Sequence, residues 1–272
     1  VAGSDSSGGA GIQADLRAFL FFNVYGTTAI TAVTAQTPAG VAGVEAVSAS
    51  LVEQQISAVF EACNVGAVKT GMVYGADIIE AAAAALERRK SAWLVVDPVM
   101  VATSGARLLQ QEARRALKSV LLPLADVITP NIPEAEVLLD TQLEDADAVA
   151  AAAEQLAEAY HATVVLKGGH DAGGAEVTDV VAGPSGSWRL RSARVEAAAT
   201  HGTGCAFSSA VAACLARGYA VAESLRHAKA YVYGSLLRCR RIGSAAWAMT
   251  SPAALPLEEV QVEQIKAREI GE

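Results

Sequence analysis

The chain has 272 residues, 52% of them hydrophobic, and a formal net charge of −8, which suits one large domain or two small ones around a substantial core. No apolar run is long enough to cross a bilayer without a charge, and scattered basic residues in an acidic chain argue against a nucleic-acid surface. Cys63, Cys205, Cys214 and Cys239 form no CxxC pair, so neither a zinc site nor a disulfide framework is indicated and a reduced, cytoplasmic protein is expected.

Residues 1–3 read as the end of a strand, with further residues expected upstream of Val1. SDSSGGAGIQAD then turns into a helix carrying Leu16, Phe19 and Leu20. Residues 27–34 (TTAITAVT) are β-branched and apolar and predict a buried strand. AQTPAGV predicts a turn, residues 44–47 a short strand and residues 51–63 a helix. Strands follow at 67–70, 93–96, 126–129 and 163–166, separated by helices ending near 88, running 111–122, starting at 133, and spanning 146–160. Residues 177–195 alternate around GPSG and predict a hairpin at a sheet edge. Two long helices follow, one from about 203 and one over 220–239, and residues 251–272 read as a peripheral segment with a short helix outside the body.

Short strands alternating with longer helices indicate an α/β fold, a largely parallel sheet with helices on both faces, in a single domain over 1–272. Such sheets bind ligands beyond the carboxyl ends of their strands. Gly3-Ser4-Asp5, Gln36, Lys69-Thr70-Gly71-Met72, Asp97, Asn131 and Lys167-Gly168-Gly169 each follow a predicted strand, and together they predict one site on one rim.

The stretch THGTGCAFSSAVAACLA (200–216) completes that site. Gly202 and Gly204 open a turn into a helix of small apolar residues. First-turn N–H groups and the helix dipole favour an anion, most naturally a phosphate. Cys205 lies on the same turn, where the dipole is expected to help its thiol ionise; a buried free cysteine at a helix start is the plain alternative. Asp15 is either a surface helix residue or a hydrogen-bonding group facing the pocket. Asn131, Pro133 and Glu134 fit an ordinary helix start, yet Glu134 and Asp97, on adjacent strand exits, also suit a hydrated Mg²⁺. Lys167 offers a cation for phosphate or is a solvated turn lysine. His170 and His201 are expected to hydrogen-bond to backbone.

AGSDSSGGAGIQADL, YGTTAITAVTAQT, KTGM, VDPVM, ITPNIPEA, KGGH and THGTGC occur in this order. The combination resembles the hydroxymethylpyrimidine/phosphomethylpyrimidine kinases of thiamine biosynthesis, within the ribokinase-like superfamily, over roughly residues 1–240. The resemblance implies a ribokinase-like homodimer that uses ATP to phosphorylate the pyrimidine's hydroxymethyl group and then the monophosphate. It implies that Gly3, Asp15, Gln36 and Met72 hold the pyrimidine, and that Asp97 and Glu134 serve Mg²⁺. Asn131, Lys167, Thr200 and Lys229 are implied to face ATP. Gly202, Thr203, Gly204 and Cys205 are implied to form the anion hole, with Cys205 as base. Thr103-Ser104-Gly105 departs from the family, where Lys commonly precedes Ser-Gly. The same scaffold also implies a pyridoxal kinase or a catalytically silent vitamin-binding protein as alternatives. Gln36 favours the pyrimidine, because an amide both donates to and accepts from an aminopyrimidine edge. A NAD-dependent oxidoreductase is disfavoured by the glycine spacing, which is not GxGxxG in register.

Overall fold

The structure, a computed structural model, describes residues 1–89, 92–101, 108–110, 112–169, 174–244 and 246–265. The chain runs β1 (Ala2–Asp5), α1 (Gly11–Phe21), β2 (Ile30–Thr37), β3 (Gly40–Ala46), α2 (Ala49–Ala62), β4 (Ala67–Thr70), α3 (Ala76–Glu87) and β5 (Trp93–Val96). It continues through α4 (Ala113–Ala116), β6 (Val127–Ile128), α5 (Ile132–Leu139), α6 (Ala146–Tyr160), β7 (Thr163–Leu166) and the pair β8 (Glu176–Gly183) and β9 (Gly186–Ala193). α7 (Thr203–Ala216), α8 (Val221–Leu237), β10 (Arg240–Arg241), β11 (Trp247–Ala248) and β12 (Gln261–Gln264) complete it.

Among the described residues, seven strands form one sheet in the order β12-β9-β8-β7-β6-β5-β4. β4 to β7 pair in parallel, whereas β8, β9 and β12 join antiparallel. A second sheet has the order β1-β2-β3, and it abuts the first where Gly71 N donates to Val1 O at 3.0 Å. Side chains alternate across the large sheet, as a two-residue repeat requires. Val95, Val127, Val165 and Val181 face α7 and α8, while Leu94, Val96, Ile128, Val164 and Leu166 face α3 and α6. Both faces are therefore dry, which is why β5 and β7 read as continuous β-branched runs.

α7 occupies the middle of one layer. Ala206 to Leu215 are all buried, as expected of a helix that is apolar around its whole circumference. Its alanines and serines let it lie close to β4, β5, α1 and α8.

Three sequence expectations are corrected. β2 lies three residues later than the 27–34 reading and extends to Thr37, because Ala35, Gln36 and Thr37 pair with Gly43, Val41 and Gly40 of β3; Gln36 thus sits inside a strand. The expected helix over 111–122 appears as the short α4, a π turn over Leu117–Leu121 and a 3₁₀ turn over Leu122–Leu124. The short C-terminal helix is replaced by a 3₁₀ turn, Leu257–Glu259, and by β12, which pairs antiparallel with β9. β12 supplies partners to backbone groups that β9 would otherwise expose, so the β8–β9 hairpin is not the outermost element of the sheet.

Candidate active site

The carboxyl ends of β1, β4, β5, β6 and β7 open into one cavity of about 730 Å³, closed on its other side by the α7 turn. Gly3, Gln36 and Met72 line one part of it; Asp97, Asn131, Glu134 and Lys167 line a second. Thr200, Gly202, Thr203, Gly204, Cys205 and Lys229 line the remainder. Asp15 does not line it.

The α7 turn is shaped by its glycines. Gly202 has φ +84°, and a Cβ there would fall 2.0 Å from Gly9 O. Only glycine permits this left-handed approach of two loops. The first helical bond is Ala206 N to Gly202 O, at 2.9 Å. The N–H groups of Gly204 and Cys205 precede it and have no partner one turn back inside the helix. A Cβ on Gly204 would come within 3.3 Å of Lys167 Nζ and 3.5 Å of Asp97 Oδ2, so the acid, the base and the helix start meet at one point.

Cys205 Sγ sits on this turn, partly exposed to the cavity. Burial pushes its thiol pKa up, Lys69 nearby pulls it down, and Asp15 and Asp97 raise it again. The balance is upward. Desolvation is the largest influence, so the ready ionisation expected from the turn does not follow.

Asp97 lies at the end of β5 with its carboxylate buried. It accepts from Lys167 Nζ at 2.9 Å and Thr129 Oγ1 at 3.1 Å, and from Ser208 Oγ at 3.2 Å. Burial works against the Lys167 ammonium, but Asp97 and Glu134 hold its pKa above the ordinary lysine value. Glu134 is pushed up to about 7, first by burial and, among the charges, by Asp97. Its Oε2 accepts from Asn131 N at 2.9 Å, and Asn131 Oδ1 accepts from Glu134 N at 2.8 Å. Asn131 is therefore a helix cap, the plain reading of the motif, and it also faces the cavity. Two enclosed carboxylates on adjacent strand exits offer the oxygen donors that Mg²⁺ takes, and Lys167 already meets part of their charge.

Two further lysines are committed to ion pairs. Lys229 Nζ lies 2.8 Å from Asp179, which also accepts from Gly168 N at 3.1 Å. Lys229 lines the cavity, but its charge already holds the loop after β7. Lys69 Nζ lies 2.8 Å from Asp15 Oδ1, which accepts from Ser209 Oγ at 2.6 Å. Asp15 points between α1, β4 and α7, beneath the cavity. This correction has a simple cause: a buried lysine on β4 needs a counter-ion.

His201 is also corrected. Its Nε2 lies 2.8 Å from Asp5 Oδ2 and 3.3 Å from Gln36 Nε2, both side-chain contacts. Gly9 makes room for the ring, since a Cβ there would meet His201 Cδ2 at 2.4 Å. Asp5 accepts in addition from Ser7 N, Ser7 Oγ and Ala10 N, each at 2.8 Å. Burial alone would raise its carboxyl, but His201 first, and then these donors, hold it far below the ordinary carboxylate range. Sequence reasoning marked Asp5 only as a strand exit; its partner stands 196 positions away. Met72 lies against Gly3, where a Cβ would come 3.1 Å from the sulfur. His170 and Thr103-Ser104-Gly105 lie outside the described residues.

A family model described as phosphomethylpyrimidine kinase matches residues 5–250. A hydroxymethylpyrimidine/phosphomethylpyrimidine kinase of Rhizobium meliloti is 46% identical over 243 residues, 89% of this chain and 91% of that protein. A thiamine biosynthesis bifunctional protein, ThiED, of Geobacter sulfurreducens is 43% identical over 243 residues, 89% of this chain but 49% of that protein, so the chain spans about half its length. Among solved structures, the pyridoxal kinase from Staphylococcus aureus in complex with AMP-PCP and pyridoxal superposes with a TM-score of 0.86 at 29% identity, covering 97% of each chain.

Proposed function

The chain belongs to the phosphomethylpyrimidine kinase family, and on that premise we propose that it uses ATP to phosphorylate hydroxymethylpyrimidine and then the resulting monophosphate, as a single kinase domain of thiamine biosynthesis. One observation carries the reading. A group suited to an aminopyrimidine edge, Gln36, shares one cavity with the helix start, Lys167 and the acid pair.

Gln36 pairs with the ring's amino group and nitrogen, with Met72 and Gly3 against the ring. The ATP phosphates lie toward the α7 turn, where the N–H groups of Gly204 and Cys205 and the Lys167 ammonium meet developing negative charge. Asn131 and Thr200 line the same stretch, and Lys229 keeps the nearby loop in place through Asp179. Asp97 and Glu134 would hold Mg²⁺, which would neutralise phosphate charge there. Asp15 acts from beneath, as the counter-ion of Lys69. Cys205 in its thiolate form takes the hydroxyl proton while the alcohol oxygen bonds to the terminal phosphorus and ADP departs. Burial disfavours the thiolate, so only the ionised fraction of Cys205 serves as the base. Such transfer is governed mainly by positioning and electrostatics.

The test is ADP release with ATP and Mg²⁺ in the presence of hydroxymethylpyrimidine, its monophosphate or pyridoxal. Turnover of both pyrimidines well above pyridoxal is expected; no turnover of either pyrimidine would reject the reading. The likeness to the S. aureus pyridoxal kinase favours pyridoxal as the second acceptor. A cytoplasmic homodimer belongs to the same proposal and is tested by sedimentation. Among the described residues no helix is long and apolar enough to cross a membrane.

A further inference from the structure

Gln36 is buried and its backbone is pinned, since Gln36 N donates to Ser6 Oγ and Ser6 Oγ donates to Gln36 O, both at 2.8 Å. Its side-chain nitrogen is placed 3.3 Å from His201 Nε2 and its oxygen 3.2 Å from Thr34 Oγ1. The partners decide whether that assignment is chemically complete, because the two ends of an amide have nearly the same shape. Asp5 receives three donors from its own loop and is a carboxylate, so it can only accept from His201. His201 Nε2 therefore carries a hydrogen, in either charge state of the ring. An amide nitrogen facing that N–H sets donor against donor. The Thr34 hydroxyl has one proton and would have two acceptors, Ser4 O at 2.9 Å and the Gln36 oxygen. A half-turn of the amide removes both conflicts. The oxygen then accepts a share of the His201 N–H, the nitrogen donates to Thr34 Oγ1, and Thr34 donates to Ser4.

We infer that Asp5 and His201 fix the Gln36 amide with its oxygen toward the α7 turn, and that this polarity selects both the class of acceptor and the way round it binds. The inference rests on the proposed pyrimidine activity. One lone pair and one N–H of the amide remain for the ligand. They match an aromatic ring bearing an amino group next to a ring nitrogen, with the amino group on the His201 side. In 4-amino-5-hydroxymethyl-2-methylpyrimidine the hydroxymethyl adjoins that amino group, so it is brought toward the turn that carries Cys205. The opposite amide polarity would turn the alcohol away. Pyridoxal has no donor adjacent to its ring nitrogen and cannot use the pair. His201 is thus a positioning residue that acts through Gln36.

The test has two arms. In the ligand-free, unsubstituted protein, long-range ¹H–¹⁵N spectra of the histidine rings read the state of His201; a protonated Nε2 is expected, and a ring protonated only on Nδ1 overturns the inference. In kinetics, His201→Phe should raise KM for hydroxymethylpyrimidine by about 10-fold, the scale of one buried hydrogen bond, with KM for ATP unchanged. Gln36→Leu should do at least as much, and the double variant should be no worse than Gln36→Leu alone. Fully additive effects, or equal losses for ATP and pyrimidine, overturn it. A preference of the unsubstituted enzyme for pyridoxal would instead reject the proposed activity and the selectivity argument, while the spectra still decide the hydrogen-bond arrangement.

Discussion

Cys205 is subject to opposing influences. Its turn offers a helix dipole and the Lys69 ammonium lies near, yet burial is the largest influence and raises the thiol pKa. A raised thiol pKa means that the thiolate fraction grows with pH above the usual thiol range, near 8.5. Alkylation by iodoacetamide should therefore show a higher pH midpoint at Cys205 in the folded protein than at the same residue in the urea-unfolded protein, read by mass spectrometry; equal midpoints would remove the desolvation argument. Cys205→Ala is expected to lower kcat by about 10²–10⁴-fold, the usual worth of general-base help. ATP affinity by calorimetry should change little. Full kcat in that variant would leave the turn as an anion site only.

α1, β4 and α7 are tied together where Asp15, Lys69 and Ser209 meet. Lys69→Met would leave the Asp15 carboxylate buried with one hydroxyl partner, a loss of about 3–5 kcal/mol. Urea denaturation should show it, and adding Asp15→Leu should recover most of it. If Lys69→Met is as stable as the parent, the pair does not hold these elements. Much at this scale was legible in the sequence. β4, β5 and β7 fall where their β-branched runs place them, because sheets covered on both faces announce themselves by composition. The rim of strand exits was readable for the same reason, as the residues after each run are polar or glycine. β2 was displaced because Ala35-Gln36-Thr37 is followed by Pro38 and resembles a turn; only pairing with β3 makes it a strand. β12, with the sequence QVEQ, has no strand signal of its own and takes its form from β9. His201 and Asp5 are joined by a contact that no local pattern reveals, so the expectation of a backbone partner failed.

At the scale of the molecule, β12 closes the sheet beyond β9. Removing residues 260–272 should uncover the β9 edge and the apolar ground beneath Val260, which is 3% exposed. A lower Tm and a rise in light scattering with concentration are expected; unchanged behaviour in both would show that β12 protects nothing. α7 has a consequence of another kind. It covers Val95, Val127 and Val165, yet it begins only at Thr203. On the ribosome, the strands it shields emerge long before it does, and one side of a nascent sheet stays naked throughout that interval. The turn proposed to hold phosphate is also made late, so an unfinished chain is sticky before it is active. Holdase chaperones should capture stalled chains ending near residue 200 and release those long enough to include α7 and α8.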